Sequence, residues 1–345
     1  MKKIAIVGDL FMLPDILEQK VRDAVGDEVE IRKLQQPWPD EPMEHGYAVE
    51  GMDGLKEYMG TADEIVQFID DADVLLTHLA PMSESMFQRL PNLKFIAVTR
   101  GGPVNIDMQA AKDNDVAVVN TPGRNASAVA EFTLGAILAE SRLIRAGHES
   151  MRNGEWRGDL YRTDRTGREL SEMTVGVIGY GHIGKRVVKL LRAFGSRVLV
   201  NDPYVQLSPE DIDAGVELTG FDTVLTQSDV VTIHARVTPE TQQLINSDAF
   251  SKMKDDSIFI NTARGPLVNY EDLETALINR DIGSAMLDTF AIEPLPDTSV
   301  LKTLPNVTLT PHIAGASVRT VTYAAEEAAN ELKRFISQQP LHNPC

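Results

Sequence analysis

A chain of 345 residues, 43% hydrophobic and 24% charged, has length for about two domains and too much apolar content for a disordered protein. Its formal net charge of −18 repels polyphosphate and anionic lipid, which argues against nucleic acid and membrane surfaces as partners. The single cysteine, Cys345, excludes an intramolecular disulfide and suits a reducing, cytoplasmic setting.

The N-terminal run Ile4-Ala5-Ile6-Val7 is cut by Gly8-Asp9, so it is too short for a secretory core and reads as a first strand. No apolar stretch is long enough to span a bilayer. β-branched runs predict strands at residues 4–7, 29–34, 74–77, 95–98 and 116–119. Helical patterns at 15–25, 62–69, 83–90 and 107–114 separate them, which predicts a parallel sheet covered on both faces. Residues 35–60 break this rhythm with prolines, glycines and acids around Trp38 and Tyr47. They read as a surface excursion or as a lid over a substrate cleft.

Asn120-Thr121-Pro122-Gly123-Arg124-Asn125 is a turn cluster and reads as a hinge into a second domain. A helix predicted over 127–146 puts Val129, Phe132, Leu134, Ile137 and Leu138 on one face. Strands are then expected at 175–178, 198–200, 230–233, 258–261, 283–287 and 307–309, alternating with helices, before a final helix over 318–336. The expected fold is α/β, with two doubly wound parallel-sheet domains and a ligand cleft between them. The last helix returns to the first domain, giving residues 1–120 with 317–345 as a discontinuous unit around 121–316.

The strongest local pattern is Gly179-Tyr180-Gly181-His182-Ile183-Gly184, preceded by an apolar strand and followed by an amphipathic helix and a second strand that closes on Asp202. Gly179 allows the tight turn, Gly181 lets a pyrophosphate approach bare backbone, and Gly184 lets the helix pack close to the sheet. The helix start presents N–H groups and a positive dipole end to phosphate. Asp202 can accept both adenosine ribose hydroxyls and would repel a 2′-phosphate, so NAD is the expected cofactor.

Three chemistry-bearing residues follow strands in the second half: Arg264, Glu293 and His312. Each alone reads as readily as a solvated cation, a loop acid or a structural histidine. Together at the carboxyl ends of strands, opposite a dinucleotide turn, they suit hydride transfer to a ketone. Such a reaction needs a proton donor near neutral pH, an acid to orient it and a cationic fork for a carboxylate.

The run from Val175 to Gly184, Asn261-Thr262-Ala263-Arg264-Gly265, Leu287-Asp288, Glu293-Pro294-Leu295-Pro296 and Thr310-Pro311-His312 together resemble the D-isomer-specific 2-hydroxyacid dehydrogenase family. The resemblance covers nearly the whole chain and is strongest with the phosphoglycerate dehydrogenase group. It implies a flavodoxin-like substrate domain beside a Rossmann NAD-binding domain, a D-2-hydroxyacid/2-ketoacid pair as substrate, and a homodimer. It further implies that Arg264 holds the substrate carboxylate and carbonyl, that His312 is the acid/base and Glu293 its partner, and that Asp288 meets the nicotinamide carboxamide. His182, Ile183, Asp202, Ala235 and the backbone of Thr262 and Ala263 would line the cofactor. Arg100, Gly101 and Gly102 would bind the substrate carboxylate. No metal is implied.

Two stretches depart from the family's wording: Thr99-Arg100-Gly101-Gly102-Pro103-Val104-Asn105-Ile106-Asp107, which is shorter, and His234-Ala235-Arg236-Val237-Thr238-Pro239. They leave the substrate open. A phosphorylated or polar-ended acid such as 3-phosphoglycerate is expected, with Arg100, Arg157, Arg162 and Arg165 as candidate readers of a second anionic end. Glyoxylate or hydroxypyruvate reduction is the alternative, and a non-catalytic NAD(H)-sensing scaffold is the alternative of another class.

Overall fold

The computed structural model describes residues 1–38 and 52–345. It divides into two compact units, Met1–Arg124 with Ser317–Cys345, and Asn125–Ala316. The passage between them falls at Arg124–Asn125, where the turn cluster had suggested 120–121.

In the first unit, strands β1 (Lys2–Gly8), β2 (Val29–Gln35), β3 (Val74–Thr77), β4 (Phe95–Val98) and β5 (Ala117–Val119) form one parallel sheet. Its order is β2-β1-β3-β4-β5. The strands read as unbroken apolar runs because both faces are covered. Phe95 and Ala97 enter one core cluster, while Ile96 and Val98 enter the other. Full burial of each larger side chain of this kind contributes about 2 kcal/mol. The final helix, Val318–Ile336, packs along the helix Pro14–Val25. It buries Ala324, Ala325, Ala328 and Ala329, whose small side chains allow close approach. Most of the predicted lid, residues 39–51, lies outside the described residues; just after it, Met52, Leu55 and Tyr58 are buried in the first unit's core.

The second unit is a seven-stranded parallel sheet of order β12-β11-β10-β9-β6-β7-β8. Its strands are β6 (Thr174–Ile178), β7 (Arg197–Asn201), β8 (Val216–Leu218), β9 (Val230–Ile233), β10 (Ile258–Asn261), β11 (Ser284–Leu287) and β12 (Val307–Leu309). The short strand β8 escaped the sequence reading because it is a terminal strand with Glu217 and Leu218 exposed, so it carries no apolar run. The helix expected over 127–146 is two helices, Ala126–Ser141 and Ile144–Arg152. Leu143 breaks it with a left-handed φ of 56°. Buried Glu140 anchors the break, pairing with Arg145 at 3.1 Å and accepting from the Thr308 hydroxyl. Hydrophobic period cannot reveal such a long-range anchor.

Candidate active site

The glycine turn joins β6 to the helix His182–Ala193. Gly179 has a φ of +94°, and a Cβ there would stand 2.7 Å from the carbonyl carbon of His234 and 2.8 Å from the nitrogen of Ala235. The end of β9 therefore presses on the turn, which places Ala235 beside it. A Cβ on Gly184 would collide with the Gly179 carbonyl oxygen, whereas one on Gly181 would meet nothing within 4 Å. Gly184 is required by packing; Gly181 leaves open space. No side chain caps the helix, and uncapped first-turn N–H groups of this kind suit an anionic ligand. His182 is exposed and Ile183 half-buried.

Asp202, one residue past β7, braces this turn. Its Oδ2 accepts the Tyr180 N–H at 2.8 Å and its Oδ1 the Tyr204 N–H at 3.0 Å. A carboxylate has lone pairs beyond these two bonds, so ribose hydroxyls can still be accepted. The open space over Gly181, the uncapped helix and the carboxylate together fit a dinucleotide.

At the end of β10, buried Asn261 shapes the next turn. Its Oδ1 accepts the Ala263 N–H at 3.1 Å and its Nδ2 donates to the Arg264 carbonyl at 3.1 Å. The Thr262 hydroxyl lies 2.7 Å from that of Thr133. Arg264 donates from Nη1 to the Ala263 carbonyl at 2.7 Å. Surrounding protein pulls its guanidinium below the usual range and the Glu293 carboxylate opposes this, although the side chain still presents surface to solvent. A Cβ on Gly265 would collide with the Phe290 carbonyl, and the Tyr270 hydroxyl donates to the Thr289 carbonyl. The Arg264 turn is thereby tied to the loop that carries Glu293.

Glu293 joins two groups. Its Oε1 accepts the Phe290 N–H at 2.8 Å, and its Oε2 lies 2.8 Å from Nδ1 of His312. The Glu293 side chain is 9% exposed, that of His312 38%. The acid is thus walled in, while the imidazole keeps an open face with Nε2 turned from its partner. His312 has a left-handed φ of 54°, a conformation that costs energy unless its surroundings hold it. Asp288, fully buried at the end of β11, provides that hold. It accepts the Thr310 hydroxyl at 2.6 Å and the N–H groups of Ile313 and Ala314 at 2.9 Å each.

The second unit therefore brings Arg264, Glu293, His312 and Asp288 to adjoining strand ends. Sequence reasoning missed Asn261, Tyr270 and Thr310; only the asparagine and threonine placed at strand ends hinted at them. In the first unit, Arg100 forms an ion pair with Glu57 and donates to the Glu57 carbonyl at 3.0 Å. Among the described residues, the N–H groups of Gly101 and Gly102 meet no acceptor. Arg157, Arg162 and Arg165 are exposed and paired with Asp159 or Asp164 on the same arm, at 2.7, 2.8 and 3.5 Å.

The family model described as D-isomer specific 2-hydroxyacid dehydrogenase, NAD binding domain, matches residues 134–314. The chain is 38% identical to a glyoxylate reductase of Thermofilum pendens, over 80% of this chain and 82% of that protein. It is 32% identical to a D-3-phosphoglycerate dehydrogenase of Mycobacterium tuberculosis, over 93% of this chain and 56% of that one. Among solved structures, the TT0316 protein of Thermus thermophilus aligns with a TM-score of 0.78 at 28% identity, covering 99% of each chain.

Proposed function

Because this chain belongs to the D-isomer-specific 2-hydroxyacid dehydrogenase family, whose members are NAD-dependent oxidoreductases, we propose that Arg264, Glu293 and His312 carry out its chemistry. The single observation behind this reading is the 2.8 Å pair of Glu293 and His312, with the acid enclosed and the imidazole open. When bound, the nicotinamide cofactor supplies a hydride to the carbonyl carbon of a 2-ketoacid. His312 Nε2 donates the proton that the carbonyl oxygen needs, and takes it back in the reverse direction. Glu293 holds the ring by Nδ1 and stabilises the imidazolium form. Arg264 grips the substrate carboxylate with its planar fork and polarises the adjacent carbonyl. The first turn of the helix at His182 and the bare backbone at Gly181 receive the pyrophosphate. Asp202 receives the ribose, and Ala235 with Thr262 and Ala263 lines the nicotinamide side. Asp288 serves through the turn it fixes.

The test is NADH oxidation over a panel of 2-ketoacids. Wild type should turn over, and His312→Ala should lose about 10²- to 10⁴-fold in kcat. Equal turnover by the variant would remove His312 from the reaction, and tight NADH binding without turnover on any acid would favour the sensing scaffold.

The segment after the helix Ala126–Ser141 exposes Ile144, Met151, Trp156 and Tyr161, at 60, 56, 84 and 95%. So much apolar surface on one arm supports a homodimer formed there, which light scattering would measure. The exposed free thiol of Cys345 supports a reducing, cytoplasmic setting.

A further inference from the structure

Tyr270 is joined to the Glu293–His312 pair through one peptide group that the chemistry above does not use. The amide linking Thr289 to Phe290 lies in the loop after β11. Its N–H donates to Oε1 of Glu293 at 2.8 Å. Its carbonyl oxygen accepts the Tyr270 hydroxyl. The two bonds belong to one planar unit, so a phenol and a carboxylate grip the same peptide from opposite edges. Glu293 then meets Nδ1 of His312 through Oε2, at 2.8 Å. A continuous line of bonds therefore runs from Tyr270 through this peptide and Glu293 to His312, and every residue in it belongs to the second unit.

The place of Tyr270 is fixed before it reaches that peptide. It opens the helix Tyr270–Asn279, whose cap, Asn269, accepts the Asp272 N–H at 3.2 Å. The Asn269 N–H donates in turn to the Ile245 carbonyl at 2.9 Å. The phenol ring packs against Phe290, with ring centres 6.3 Å apart. Burial holds the phenol above its usual range; a bond from Asn261 opposes this, and the Glu293 charge adds to it. The hydroxyl therefore keeps its proton and is a fixed donor. Packing alone would need only the ring, and phenylalanine would supply it. The hydroxyl does two further things. Thr289 is fully buried, so its carbonyl depends on a donor from the protein. A peptide polarised at its oxygen also donates more strongly from its nitrogen, so the phenol both directs and strengthens the bond that Glu293 receives.

We propose that Tyr270 is a positioning residue for the acid/base pair: through the Thr289–Phe290 peptide, its hydroxyl aims the Glu293 carboxylate at His312. This deepens the proposed function and rests on it. Tyr270 takes no proton itself and acts only through Glu293. With the hydroxyl removed, the peptide is free to tilt, its N–H leaves Oε1, and Oε2 loses its direction towards the imidazole. A misdirected partner costs turnover while leaving cofactor binding in place.

The experiment uses Tyr270→Phe, which removes the hydroxyl and keeps the ring, alone and combined with Glu293→Gln. In 2-ketoacid reduction, Tyr270→Phe should lower kcat by about tenfold while KM for NADH stays within about twofold. In the Glu293→Gln background the same change should cost little more, because the group it acts through is gone. An unchanged kcat in Tyr270→Phe overturns the proposal. So does an equal loss with and without Glu293, which is what a purely structural tyrosine would give. A second readout needs no turnover. The His312 Nδ1 signal in nitrogen NMR, identified by its loss in His312→Ala, should move in Tyr270→Phe towards its position in Glu293→Gln. A third leaves Tyr270 itself intact: His312→Ala should displace the Phe290 amide and Tyr270 Cζ signals, since the line of bonds couples them. Signals that stay put in either comparison also overturn it. If wild type reduces no 2-ketoacid at all, the proposed function fails, while the NMR signals still decide whether Tyr270 and His312 are coupled.

Discussion

Asp288 determines where His312 stands. Its carboxylate never touches the imidazole, yet it holds the hydroxyl of Thr310 and the N–H groups of Ile313 and Ala314, which flank His312 in the chain. The left-handed backbone at His312 is the shape that results. Asp288→Asn keeps the size but turns one acceptor into a donor, which then faces an N–H group of the turn. The expected outcome is a loss of about 2 kcal/mol in stability and a fall in kcat of about tenfold or more as the imidazole loses its aim. Urea unfolding and steady-state kinetics read the two effects; an unchanged kcat would mean the turn holds without its carboxylate.

Gly181 and Gly184 separate cofactor binding from packing. A methyl group at 181 meets open space, while one at 184 collides with the Gly179 carbonyl. Gly181→Ala should fold with a near-normal thermal midpoint but bind NADH about tenfold or more weakly, because its Cβ would stand where the proposed site receives the pyrophosphate. Gly184→Ala should lose about 1–3 kcal/mol of stability through overpacking. Fluorescence titration with NADH and calorimetry distinguish them. Equal stability loss in both variants would refute the assignment.

Cofactor choice should follow Asp202. Replacing it by serine removes the negative charge that a 2′-phosphate would meet, so kcat/KM for NADPH relative to NADH should rise by about tenfold or more in Asp202→Ser. The variant also loses the braces to the Tyr180 and Tyr204 N–H groups, so its thermal midpoint should drop. A ratio that stays put would show that another group reads the ribose.

Acid stability should depend on His234. Its Nε2 lies 3.0 Å from the Thr232 hydroxyl, its Nδ1 is buried with no partner, and burial lowers its pKa from 6.5 to about 3. Above the unfolded value both states are neutral and pH has no effect through this group. As pH falls from 6.5 towards 3, the unfolded chain takes a proton that the folded chain refuses. Stability then falls by up to about 1.4 kcal/mol per pH unit. His234→Gln lacks this term, so wild type should lose about 2 kcal/mol relative to the variant between pH ~7 and pH ~5. Denaturant midpoints at those two values test it, and a constant gap would mean that His234 titrates alike in both states.

The sequence by itself determined eleven of the twelve strands among the described residues, the glycine turn and the standing of Arg264, Glu293 and His312 after strands, because each is written in short-range pattern. Two-residue alternation and apolar runs mark strands, glycine spacing marks a turn that only glycine tolerates, and strand-end residues are countable along the chain. Tertiary structure alone decided the helix break at Leu143, the role of Asp288 and the meeting of Tyr270 with the Thr289 carbonyl. Those depend on hydrogen bonds between residues far apart in sequence, whose geometry exists only after parallel strands have set their order and register. A buried carboxylate in a list of residues is one acid among many; what it holds is fixed by which strand ends the sheet places beside it.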